Sequence, residues 1–217
     1  MKIEIYSDVI CPWCFVGKRR LEQALEQVES AHPAQVLWRP FELNPTMPKE
    51  GLDRRSYLEA KFGGAKALHT MEDRVAQAGE AEGIEFAFDR IVRTPNTFDA
   101  HRLIWFAGQQ GCQDEVVEAL FFSYFTEGRD IGNLDSLTDV AADSGLNREE
   151  VRVFLASDRA VQEVRAEEAA GHRLGIRGVP YFLLNGSLSI SGAQPPDIFV
   201  SALQQAKDTV MEGKEGA

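Results

Sequence analysis

No apolar run in this 217-residue sequence approaches the roughly 20 residues that a membrane-spanning helix needs, so no membrane partner is expected. Positive charge is in deficit. The 23 Lys and Arg face 34 Asp and Glu, a net charge of −11, which argues against nucleic acid and anionic membrane surfaces, because phosphates want a basic face. Cysteine is scarce too. There are 3, two of them inside one four-residue motif, which is no secreted disulfide framework. One leftover thiol and no histidine pair at ligand spacing disfavour a four-ligand zinc site. The N-terminus lacks a basic region, an apolar stretch and a cleavage site, so the expected location is the cytoplasm. What remains, 44% hydrophobic and 26% charged, is ordinary for a soluble globular protein with one large domain or a domain carrying an insertion.

The chemistry-bearing stretch is residues 2–20, KIEIYSDVICPWCFVGKRR. Ile3 to Tyr6 alternates with polar neighbours and reads as a strand. Phe15, Val16, Leu21, Leu25 and Val28 recur at helical spacing. Cys11 and Cys14 therefore sit where a strand gives way to a helix. Pro12 suits the first helical position, since its missing N–H would have no partner there. Cys11 then lies at the N-cap, where free peptide N–H groups and the helix dipole favour a thiolate. Asp8 would oppose this if its carboxylate came close. Cys14, almost one turn on, shares the face and is within reach of a disulfide. The reading is an attacking thiol, Cys11, and a resolving thiol, Cys14, with Trp13 offering a flat apolar face to substrate. A purely structural bridge would close too short a loop to constrain the unfolded chain much.

Along the chain, Ala31-His32-Pro33 breaks the first helix and Gln35–Glu42 reads as a second strand, interrupted at Pro40, which completes a βαβ unit. Turn residues at 43–48 mark a boundary. Helical periodicities then replace strand signals: Ser56–Phe62, Ala65–Glu82, Thr97–Gln110, Cys112–Thr126, Asn133–Asp143, Arg148–Ala156 and Arg159–Leu174. Thr97 and Asn147 are candidate caps, and Gly83, Gly111 and Gly145 candidate stops. A block of this length should have its own small core. The segment 82–89 reads as an extended linker. The aromatic run Phe121, Phe122, Tyr124, Phe125 reads as core, with roofing of the active site as the alternative. Asn185-Gly186 is a hairpin signal between strands at 178–184 and 187–190. A last helix covers about Asp197 to Met211, and the tail EGKEGA is expected to fray. The division is thus residues 1–50 and 174–217 against a helical insertion at 51–173. The class is α/β, ordered βαβ, helical block, ββα.

Pro180, after Gly178-Val179, either starts an edge strand or follows a cis bond that turns Val179 outward. In the second case the Val179 N–H and C=O are free to pair with an extended peptide. His101 either lines the cleft or is a satisfied structural histidine. Asn44 and Asn96 either contact substrate or make local Asx bonds. Cys112 reads as a buried, inert thiol.

The C-P-W-C motif after the first strand, the G-V-P before a hairpin and the helical block between them resemble the DsbA family of thioredoxin-fold oxidoreductases. More narrowly, S-D-V-I-C-P-W-C-F-V-G-K, R-P-F-E-L-N-P and T-P-N-T-F-D-A-H-R-L resemble its cytoplasmic FrnE-like branch. The resemblance implies a thioredoxin fold split by a helical insertion, dithiol–disulfide exchange at Cys11 and Cys14, and a cis-proline at Pro180 packed over them. The same architecture occurs in kappa-class glutathione transferases and 2-hydroxychromene-2-carboxylate isomerases, which resemble this chain around its Asn-Thr and Ala-His-Arg stretch. Those generally carry serine in place of Cys11, so the intact dithiol argues for redox work. Trp13, where periplasmic members often have histidine, argues against a strongly oxidising role. The expected substrate-binding residues are Trp13, Val179, Pro180, His101 and Asn44. Expected partners are protein or peptide thiols and disulfides, with no resident cofactor and glutathione a candidate co-substrate. The chain is expected to act as a monomer or homodimer. The rival readings are a glutathione-dependent isomerase or transferase on a small aromatic substrate, and a redox-sensing or chaperone-like module.

Overall fold

In the computed structural model, residues 1–28 and 34–215 are described. The expected break at Ala31-His32-Pro33 and the last tail residues, 216–217, lie outside them. Strand β1 (Lys2–Ser7) buries Ile3 and Ile5 completely, as its alternation requires. The chain turns through Asp8 into helix α1 (Pro12–Gln27), whose Phe15, Val16, Leu21 and Ala24 face the core. Strand β2 (Gln35–Pro40) returns parallel to β1, with Lys2 opposite Gln35 and Ser7 opposite Pro40. Pro40 ends this strand rather than interrupting it.

Strands β3 (Leu52–Asp53) and β4 (Arg93–Thr94) pair antiparallel inside the helical block. Around them run α2 (Arg54–Phe62), α3 (Ala65–Ala81), α4 (Phe98–Gln110), α5 (Gln113–Phe125), α6 (Leu134–Asp143), α7 (Arg148–Leu155) and α8 (Val161–Arg173). Each expected helix is present. The linker at 82–89 runs extended and ends in a 3-10 turn at Phe88–Arg90. Asn147 caps α7, its Oδ1 accepting from the Glu150 N–H at 3.0 Å. Thr97 holds the cap position of α4, but Asn96 Oδ1 accepts from the Phe98 N–H at 3.0 Å instead.

Strands β5 (Tyr181–Leu184) and β6 (Leu188–Ser191) form the expected hairpin, with Asn185 at φ 47° and Gly186 at φ 73°. Strand β5 lies antiparallel to β1, and the sheet order is β2-β1-β5-β6. Helix α9 (Pro196–Glu215) packs on α1 and brings Phe199 edge-on to Phe182 at 4.7 Å. The helix thus continues four residues past Met211, where it was expected to end. The result is a thioredoxin-like α/β core with a large helical insertion. Among the described residues no helix is long and apolar enough to cross a membrane.

The insertion does not keep a core to itself. Phe15 of α1 stacks on Phe121 of α5 at 5.1 Å, and one apolar cluster runs from Ile3 and Phe182 through Phe121 to Phe154. Polar contacts fix the same junction. Buried Lys18 reaches Asp114 at 3.0 Å and Glu118 at 3.1 Å, and Arg20 reaches Glu82 at 2.6 Å. The packing of α1 against the insertion thereby fixes the wall that faces its N-terminus.

Close approach also governs α8. A Cβ on Gly171 would lie 2.7 Å and 2.9 Å from carbons of the buried Tyr6 ring. Alanine gains about 1 kcal/mol of helix propensity over glycine, but overpacking costs roughly 1–3 kcal/mol. Gly171→Ala should therefore lower stability by about 1 kcal/mol, read as a lower urea midpoint. A midpoint equal to or above that of the parent would refute this packing argument.

Candidate active site

Cys11 takes the N-cap position of α1 in extended conformation, with φ −92° and ψ 109°, and Pro12 opens the helix as expected. The Cys11 N–H donates to the Asp8 carbonyl at 2.9 Å, and the Cys14 N–H to the Cys11 carbonyl at 3.0 Å. These two bonds form the tight turn that presents the motif. The Cys11 side chain makes no capping bond. Its thiol donates instead to the Val179 carbonyl, at 3.6 Å. The Val179–Pro180 peptide is cis, which puts Val179 beside the sulfur.

Cys14 lies one turn on, almost wholly buried. Burial raises its thiol well above the ordinary value, and the neighbouring Cys11 adds to the rise against the opposing Ser7 hydroxyl and Asp8 backbone. Both sulfurs are free thiols, within hydrogen-bonding reach of each other. The two therefore differ in kind: Cys11 borders the pocket described below, and Cys14 sits behind it and holds its proton.

Asp8 does not oppose Cys11 in the way the sequence allowed. Its carboxylate turns inward, accepting from the Leu43 N–H at 2.7 Å and the Ile10 N–H at 3.4 Å. His101 faces it, Nε2 3.6 Å from Oδ1, both side chains buried. Burial would keep this imidazole neutral, yet Asp8, Glu168 and Glu42 together raise its proton affinity above the usual value. Glu42, also buried, is pushed from 4.5 to about 7 by burial and by Glu168, against the pull of His101 and Arg165. The Arg165 guanidinium reaches Glu42 at 2.8 Å and Glu168 at 3.1 Å. A buried acid–base cluster thus lies below the end of β1.

A pocket of about 320 Å³ opens beside Cys11, between the thioredoxin-like core and the insertion. Ile10, Pro12, Leu43, Leu58, Phe88 and Phe125 supply apolar walls. Trp13, half-buried, stands at its edge. Arg54, Thr94 and Tyr124 supply polar groups. Arg54 pairs with Glu72 at 2.7 Å, and the Tyr124 hydroxyl donates to the Arg93 carbonyl at 3.1 Å. Burial raises the Tyr124 phenol, so it stays protonated.

Cys11, Cys14, Trp13, Val179 and Pro180 thus come together. His101 and Asn44 do not join them. His101 lies in α4 and lines a separate small cavity with Ser7 and Trp38. Asn44 makes the local Asx bonds left open by the sequence, its Oδ1 accepting from the Thr46 N–H at 3.3 Å and hydroxyl at 2.9 Å, and its amide donates to the hydroxyl of the pocket-lining Tyr57 at 3.2 Å without lining the pocket itself. Asn96 accepts its local bond from the Phe98 N–H, and its amide also donates to the distant Met47 carbonyl at 2.8 Å. Cys112 is half-buried at the N-cap of α5 and away from the pocket, and burial and Glu115 raise its thiol. Arg54, Tyr57 and Phe88 carried no sequence signal for the pocket. Tyr124 and Phe125 did, through the roofing alternative for their aromatic run.

A family model described as a DSBA-like thioredoxin domain matches residues 2–204. The uncharacterized protein YwbO of Bacillus subtilis (strain 168) is 30% identical over 203 residues, 93% of this chain and 94% of that protein. The crystal structure of a probable DsbA oxidoreductase, SCO1869 from Streptomyces coelicolor, superposes with a TM-score of 0.89 at 36% identity, covering 96% of this chain and 90% of that one. The cytosolic disulfide reductase DsbM from Pseudomonas aeruginosa shares the fold, with a TM-score of 0.68 at 20% identity over 96% of this chain and 100% of that one.

Proposed function

This chain belongs to the DSBA-like thioredoxin family, and from that premise we propose that it is a thiol–disulfide oxidoreductase working through the Cys11-Pro12-Trp13-Cys14 pair. The observation that carries the reading is the asymmetry of the two thiols. Both are buried, but one stands at a helix N-cap and lines the pocket, and the other lies a turn behind it, outside the pocket lining, with its proton held. In the reductive direction, the Cys11 thiolate attacks one sulfur of a substrate disulfide, and the other leaves as a thiolate. Cys14 then loses its proton, attacks Cys11 and releases the second substrate thiolate. The protein gives up two electrons and closes its own disulfide; the reverse sequence donates a disulfide. The attacking sulfur stands at the N-terminus of α1, where its proton is directed to the Val179 carbonyl before exchange begins. In this reading Trp13 and Pro180 flank the mixed disulfide, and the Val179 carbonyl, which accepts from the Cys11 thiol in the free protein, turns to substrate once that proton is lost.

The motif resemblance supports placement in the FrnE-like branch. The same reading takes protein or peptide thiols and disulfides as partners, in the cytoplasm, with glutathione as the exchanging pool. A second reading, glutathione-dependent isomerisation of a small substrate, is favoured by one feature, the apolar pocket against Cys11.

Equilibration in glutathione redox buffers tests the proposal. A single two-electron transition is expected, with two thiols lost per chain and Cys112 still titratable in the oxidised protein. A midpoint at or below about −220 mV marks a reductase against the cytosolic glutathione poise. Absence of any transition, with glutathione still bound saturably, would overturn the redox reading in favour of isomerisation.

A further inference from the structure

The charge around the Cys11 pocket runs against that of the whole molecule. The chain carries 34 acids against 23 bases, yet neither the pocket nor the groove beside it is lined by a single Asp or Glu among the described residues. Arg54 and Lys61 line the pocket, and Lys66 and Arg74 line the groove. The two cavities meet at Trp13 and Met71. Arg54 is neutralised by Glu72, whereas Lys61, Lys66 and Arg74 are exposed and have no ion-pair partner among the described residues. One unpaired cation, Lys61, thus lines the aromatic pocket that holds Cys11, and two more, Lys66 and Arg74, line the groove that joins it at Trp13 and Met71.

We infer that, beside peptide disulfides, Cys11 takes a compact disulfide whose arms each carry a flat apolar body and a carboxylate, an inference that rests on the exchange reading above. A volume of about 320 Å³ lies at the small end of ligand pockets, enough for one arm of such a molecule. The arm lies among Trp13, Phe88 and Phe125, and its carboxylate points out toward Lys61 and Lys66. Cationic rims raise the local concentration of anions and speed their encounter, an effect that salt weakens. The chemistry balances within the protein. The reduced dithiol supplies two electrons, the disulfide leaves as two thiols, and Cys11 and Cys14 close their bond.

The test is single-turnover oxidation of the pre-reduced protein by two aromatic disulfides. One is 5,5′-dithiobis(2-nitrobenzoate), which carries a carboxylate on each ring; the other is uncharged 4,4′-dithiodipyridine. The readout is the ratio of their rate constants, which a general loss of structure or of thiol reactivity does not move. In Lys61→Glu/Lys66→Glu the ratio is expected to fall by about tenfold or more. The conservative Lys61→Arg/Lys66→Arg variant should restore it, and added salt should lower it in the parent protein. A ratio within twofold of the parent in the charge-reversed protein, with both reactions intact, overturns this inference alone. A protein inert to both disulfides overturns the exchange reading and this inference with it.

Discussion

Replacing Cys11 with serine should abolish disulfide exchange, lowering the rate of disulfide reduction by at least about a thousandfold. The step depends on an anionic sulfur. A serine hydroxyl at the same N-cap keeps its proton near neutral pH and cannot form the mixed disulfide. Neither remaining thiol can substitute. Cys14 is buried behind Cys11 with its proton held, and Cys112 lies outside the pocket at the start of α5. Cys14→Ser should behave differently, because the first attack survives while the resolving one is lost. That variant should accumulate a protein–substrate adduct, read as added mass on Cys11 that reductant removes. Turbidimetric insulin reduction and intact-mass measurement check the pair. Full activity in Cys11→Ser would remove the chemical basis of the proposal. Rapid turnover in Cys14→Ser would assign resolution to an external thiol and favour a glutathione-linked mechanism.

The parts of this site legible in the sequence are those built from neighbours in the chain. Strand-to-helix alternation around Cys11, proline at the first helical position and Asn185-Gly186 each declare local geometry within a few residues. Likewise, the helix stops at Gly83, Gly111 and Gly145 follow from backbone conformation alone, and all three have positive φ. What could not be read depends on distant residues meeting. Strands β3 and β4 are two residues each, too short to show alternation, and they pair across 40 positions of chain. The expected separate core of the insertion failed for a related reason. Helical spacing marks a buried stripe without saying what covers it, and here α1 and β2 cover α5. Arg54, Tyr57, Phe88 and Thr94 reach the pocket only through that packing. The aromatic run at 121–125 divides the same way: Phe121 is core, Tyr124 and Phe125 wall the pocket, and Phe122 faces solvent.

The acid–base cluster beneath β1 makes stability fall as pH rises through neutrality. Glu42 ionises near 4.5 in an unfolded chain but near 7 in the fold. Below 4.5 both states hold the proton and no penalty exists. Between 4.5 and 7 the unfolded chain has released it and the folded one has not, so each pH unit costs about 1.4 kcal/mol. Above 7 the penalty is complete, on the order of 3 kcal/mol. His101 acts in the same direction. Its raised affinity contributes stability below 6.5, its ordinary value, which is lost as pH rises through the higher value in the fold. The penalty at Glu42 comes from burial and then from Glu168, so removing the charge should remove it. Glu42→Gln is neutral throughout. It should match the parent below pH 4.5 and exceed it by on the order of 3 kcal/mol at pH 8. Urea unfolding of both proteins at pH 4.5, 6 and 8 measures the difference. Stability curves that stay parallel across that range would show that Glu42 ionises in the fold as it does in water, and that its contacts with Arg165 and His101 balance burial and Glu168.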